Sequence, residues 1–112
     1  MTNIERLKLE LGGRQYLEDE QYFVLLDENG LTAMVEYEAA NRRALLSTVL
    51  DILEILANDI DTFRRTDTEF ATTTAAFEAL SSRILEIKNK IAAIDANTGR
   101  KNDSPFTFMY TG

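Results

Sequence analysis

Between Leu45 and Ile60 apolar residues recur so densely that they fit only a helix touching several neighbours. At about 100° per residue, Leu45, Leu46, Val49, Leu50, Ile52, Leu53, Leu56, Ala57 and Ile60 spread over roughly 160° of helix surface, wider than one packing seam needs. Ser47, Asp51, Glu54 and Asn58 mark the opposite, wet side. The spacing predicts a long central helix from about Val35 to Phe63. Arg64 and Arg65 follow where cations oppose the negative end of its dipole.

A second helix of comparable length follows after a polar, β-branched connection, Thr66 to Thr74, with Phe70 at its middle. From about Thr74, the residues Phe77, Leu80, Ile84, Ile87, Ile91 and Ile94 alternate spacings of three and four, a two-position heptad seam. A seam of this kind in a short chain ordinarily packs on the chain's own central helix. Leu85, Ala92 and Ala93 widen one side of it, leaving room for contact with another subunit.

Two shorter helices are expected before the central one. Thr2-Asn3-Ile4-Glu5 has the form of a capping box, with Thr2 serving a free amide and Glu5 reaching back. Ile4, Leu7 and Leu11 share a face, and Gly12-Gly13 ends the helix. Glu18-Asp19-Glu20 then places carboxylates at the positive end of a second helix, which stops at Asn29-Gly30. Its inner face is expected to be Phe23 and Leu26, with Tyr22 beside them. The fold class is therefore all-α: a four-helix, bundle-like domain of two short and two long helices.

The helical pattern ceases at Asp95-Ala96-Asn97-Thr98-Gly99, dividing the chain into a helical domain, 1–98, and an extended arm, 99–112. In the arm, Arg100-Lys101 precede Ser104-Pro105, and then Phe106, Phe108 and Tyr110 alternate with Thr107, Met109 and Thr111. That period of two reads as one strand, and no convincing partner strand exists elsewhere in the chain. Addition to the edge of another protein's sheet satisfies both its backbone and its rings; folding back on the helices, or a frayed tail, are the alternatives. Arg100, Lys101, Phe106, Phe108, Met109 and Tyr110 are thus the candidate partner-binding residues, the cations steering the arm toward an acidic surface.

Composition narrows the chemistry. The 112 residues suit one domain and contain neither cysteine nor histidine, which removes disulfides, thiol nucleophiles, the commonest general base and the common zinc ligands. The carboxylate groups are explained by helix ends, and Asp27-Glu28-Asn29-Gly30 lacks the ligand series of a calcium loop. No catalytic residue, cofactor or metal set is expected. No signal peptide is expected from the charged N-terminus, and no segment approaches the roughly 18 apolar residues of a membrane span, so a soluble protein made in the cytoplasm is anticipated. The net charge of -7 is uneven: residues 1–38 hold nine acids against three bases, 39–81 seven against four, and 82–112 three against five. No concentrated basic patch is available to grip nucleic acid.

The order of parts resembles the small helical class of head–tail connector (adaptor) proteins of tailed bacteriophages. The likeness runs through a short first helix, an acidic helix closed by Glu28-Asn29-Gly30, and a long apolar helix containing Ala40-Asn41-Arg42-Arg43-Ala44-Leu45-Leu46 and Leu56-Ala57-Asn58-Asp59. It continues through Thr68-Glu69-Phe70 and a final helix from Phe77 to Ile94. The resemblance implies a virion protein of the neck, made in the host cytoplasm and assembling as a ring, usually of twelve copies, beneath the portal protein. In that family a C-terminal arm reaches the portal, the far side receives a stopper or tail-completion protein, and DNA passes through without specific binding. An acidic wall, as residues 1–38 would supply, lets DNA slide without sticking. A different class of reading is a small acidic helical regulator or adaptor that binds a host protein.

Overall fold

Thr2 and Glu5 form the expected reciprocal cap. The Thr2 hydroxyl accepts from the Glu5 amide, and the Thr2 amide donates to Glu5 Oε1 at 2.7 Å. The computed structural model describes residues 1–67 and 72–102, with side chains described for 1–66 and 72–97. From this cap α1 runs over Asn3–Glu10, burying Ile4 and Leu7, and Leu11 closes it with its side chain fully buried.

Helix α2, Asp19–Glu28, begins and ends where the acidic run and Asn29-Gly30 place it. Gly30 adopts φ 81°, a left-handed conformation that glycine enters without steric cost. The inner face differs from expectation: Tyr22 and Leu26 are fully buried, whereas Phe23 points outward. The Tyr22 hydroxyl explains the choice. It accepts hydrogen bonds from the Tyr16 and Leu17 amides at 3.1 and 3.2 Å, tying the incoming loop to the helix.

Residues 31–38 are not helical. Asn3 and Ile4 donate their amides to Val35 and Ala33 carbonyls at 2.8 and 3.0 Å, and the Tyr37 amide donates to the Met1 carbonyl at 2.9 Å. These bonds consume the backbone groups that an earlier helix start would need. Thr2 and Glu36 consequently form an isolated antiparallel bridge, and no strand occurs among the described residues.

The expected central helix from Val35 to Phe63 is shorter and divided. A 3-10 turn, Ala39–Asn41, leads into α3, Arg42–Ala57, and α4 follows over Ile60–Asp67. Asn58 caps α3, and Asp59 accepts from both the amide and the hydroxyl of Thr62 at 3.4 and 2.7 Å. A short acceptor side chain at this position restarts a helix more readily than it continues one. The new direction buries Phe63, whose ring stacks on Tyr16 with centroids 5.9 Å apart. Arg64 and Arg65 occupy the last turn of α4 rather than the end of α3, and still oppose a helix C-terminus.

Helix α5, Thr73–Asn102, begins one residue from its expected start and packs antiparallel on α3. Leu80 and Ile87 are buried and Ile84, Ile91 and Ile94 half-buried, so the heptad seam serves the chain's own core. Ala76 takes the inward place expected of Phe77. The helix also outlasts the expected stop at Asp95–Gly99: residues 99–102 continue α5 rather than opening an extended arm. A single glycine near an exposed helix end costs about 1 kcal/mol, too little to force termination.

Among the described residues, five α-helices, rather than four, therefore surround one core. The wide apolar arc of α3 is covered by α1, α2, α4 and α5, as its breadth requires. Arg83 donates to the Glu10 carbonyl at 2.8 Å, fastening α5 to the C-terminal end of α1.

Candidate partner-binding surfaces

Of the six residues expected to bind a partner, Arg100 and Lys101 lie in the last turn of α5. Phe106, Phe108, Met109 and Tyr110 fall outside the described residues, as does the expected strand around them. The described residues present two other apolar surfaces.

The first belongs to α2. Tyr22-Phe23-Val24-Leu25-Leu26 is an unbroken apolar run on a helix, and five successive positions turn through more than a full circle. Tyr22 and Leu26 face the core, so Phe23 and Val24 must face out. Val24 is 56% exposed and joins Leu17, Gln21, Leu25 and Ile55 around a shallow cleft of about 200 Å³ between α2 and α3. On the other side of α2, Phe23, Asp27, Leu31, Ala33 and Met34 line a second cleft of about 320 Å³.

The second surface lies on α5. Phe77 and Leu85 are 53% and 59% exposed, and Ser81, Lys88 and Ala92 fall between or beyond them on the same stripe. Leu85 and Ala92, expected to widen the seam, are exposed, as is Ala93.

Charge distinguishes the two surfaces. Helix α2 carries Asp19, Glu20, Asp27 and Glu28 and no cation. Lys8 and Gln15 hold the Asp19 carboxyl below its ordinary range, the lysine contact at 2.9 Å contributing most. Segment 77–92 of α5 carries Arg83, Lys88 and Lys90 against Glu78 and Glu86. Arg83 and Lys90 lean toward Glu10, while Lys88 sits exposed beside the apolar stripe.

Sequence reasoning missed the α2 surface, although the five-residue apolar run signals it. Among the described residues no group of three or more carboxylates converges as a metal site would require, and no helix is long and apolar enough to cross a membrane. Among the described residues, fold and surface together define an all-helical domain with exposed apolar side chains on α2 and on α5, those on α2 flanked by carboxylates alone. No protein-family model, curated protein or solved structure matches the chain.

Proposed function

We propose that the chain is a structural virion protein, a head–tail connector (adaptor) that forms a ring beneath the portal, extends the DNA channel and joins capsid to tail. The reach of α5 carries this reading. Asp95 lies level with Arg43 in the first turn of α3, and α5 continues to Asn102, about 10 Å further at 1.5 Å per residue. The docking arm for the portal is assigned to the sequence that follows Asn102, which contains Phe106, Phe108 and Tyr110. The ring itself, of about twelve copies by analogy with the family, uses the exposed apolar faces, since the arc of α3 is consumed internally. Its far side receives the stopper or tail-completion protein, and the acidic N-terminal third repels passing DNA.

Truncation after Asn102 tests the arm. The shortened chain is expected to keep its helical circular dichroism and to lose co-purification with the portal protein assigned to it. Undiminished portal binding contradicts the assignment. The cleft between Phe23 and Met34 favours a second reading, a small acidic adaptor that takes a host protein's apolar segment. Gene order separates the two, since a connector gene lies between capsid and tail genes.

A further inference from the structure

We propose that Asn29 is a deamidation site whose chemistry the fold restrains, and that the carboxylate formed there weakens the joint between α2 and α3. Neither step needs the connector reading.

Asn29-Gly30 is the one Asn-Gly pair in the chain. Asparagine is a thermolabile side chain, most of all before glycine, whose lack of a Cβ leaves its backbone nitrogen open to react. The Gly30 nitrogen attacks Asn29 Cγ and gives up its proton, and the Cγ–Nδ2 bond breaks to release ammonia. Water then opens the five-membered imide at either carbonyl, leaving aspartate or isoaspartate at position 29. The sum converts an amide and water to a carboxylate and ammonium, with no other reactant.

Three features of the folded chain oppose the first step. Both hydrogens of Asn29 Nδ2 are engaged, by the Leu25 carbonyl and by Asp51 Oδ2, each at 2.9 Å. The Gly30 amide donates to the Asp27 carbonyl at 2.9 Å and the Leu31 amide to the Leu26 carbonyl at 2.8 Å, so the attacking nitrogen sits inside the closing turn of α2. With Asn29 at φ -98° and ψ 12°, that nitrogen is turned away from the Asn29 Cβ, and ring closure requires rotating the peptide out of the turn. Glycine at position 30 therefore creates the reactive pair, and the turn it permits restrains it.

The product acts on the fold in turn. Asn29 and Asp51 are both half-buried, and among the described residues no cation pairs with Asp51. Asp27 and Glu28 on α2 and Glu54 one turn along α3 are acidic as well. A carboxylate at position 29 replaces a donor shared by two acceptors with an oxygen that repels both, one of them charged. Deamidation thus works as a one-way release: local opening exposes Asn29-Gly30, and reaction hinders reclosing.

Peptide mapping by mass spectrometry follows the full chain during incubation at mildly alkaline pH. Aspartate and isoaspartate at position 29 are expected to accumulate more than about tenfold faster in concentrated urea than in buffer. Asp51→Ala is expected to raise the rate in buffer severalfold and to leave the rate in urea unchanged. Equal rates in buffer and urea overturn the restraint, and an Asn29 that survives urea intact overturns the site itself. The product is read with Asn29→Asp, expected to lower the urea midpoint at neutral pH, and with Asp51→Asn added to it, expected to restore the midpoint because the introduced amide donates to the carboxylate at position 29. Should Asn29→Asp fail to fold, recovery of helical circular dichroism in the double variant reads the same contact. An Asn29→Asp chain as stable as the wild type, or one that Asp51→Asn does not rescue, overturns the like-charge release.

Discussion

Arg43 holds Asp95 through two parallel hydrogen bonds, Nε to Oδ1 at 2.5 Å and Nη2 to Oδ2 at 3.0 Å. The pair marks the level at which α5 passes the start of α3. Both side chains are about half exposed, and exposed ion pairs contribute little to global stability. The consequence of losing the pair is therefore local. Asp95→Asn is expected to leave the urea midpoint nearly unchanged while amide exchange in residues 96–102 accelerates. Exchange at the wild-type rate there contradicts an anchoring role for the pair.

Acid sensitivity follows from four carboxylates. Arg43 holds Asp95 below its ordinary 3.8, Lys8 and then Gln15 do so for Asp19, and the Thr62 hydroxyl and amide for Asp59. The Thr2 amide, with its hydroxyl, holds Glu5 below 4.5. Each group binds its proton less readily folded than unfolded, so its stabilisation is complete above these values and is lost as pH falls through the folded ones. Protonation also relieves the net charge of -7, but that repulsion acts over screened distances. Denaturant midpoints are expected to hold steady between about pH 5 and 7 and to fall below about pH 4.5. A midpoint that rises on acidification contradicts this balance.

Adjacent positions on α2 should respond oppositely. Tyr22→Phe strands the buried Tyr16 amide and the half-buried Leu17 amide, at an expected cost of about 1–3 kcal/mol. Phe23→Ser alters an outward side chain and should stay within about 0.5 kcal/mol. Urea unfolding of the two variants checks the order; equal losses place Phe23 in the core.

At Gly30, φ 81° makes any side chain strained although open space surrounds its Cβ position. Gly30→Ala is expected to cost about 1–2 kcal/mol with an unchanged denaturant slope. A neutral or stabilising substitution shows that the turn relaxes to another conformation.

The parts of this fold that local chemistry dictates were readable from the sequence. Thr2-Asn3-Ile4-Glu5 specifies its cap by itself, Asn29-Gly30 specifies its stop, and the arc from Leu45 to Leu56 requires several covering helices. What escaped depends on alternatives with similar local signatures. Asn58-Asp59 suits both a polar helix end and a fresh N-cap, and only the burial of Phe63 against Tyr16 decides for a break. Phe23 and Tyr22 are both aromatic, and the phenol's two distant amide donors select Tyr22 for the interior. In Leu31, Ala33, Val35 and Tyr37 a period-two pattern was present, but its partner is the short stretch Met1–Ile4, which no periodicity reveals. Phe106, Phe108 and Tyr110 of the expected arm lie outside the described residues, and the α2 and α5 faces required knowing which apolar residues the core left out.

The most direct test of the connector account is to image the full chain mixed with the portal protein that the account assigns to it, by electron microscopy of the purified complex. The account predicts a closed ring of this chain, coaxial with the portal and continuing its channel, with the C-terminal end of α5 directed at the portal. A chain that remains monomeric in the presence of assembled portal, or binds it in scattered single copies without a ring, contradicts it.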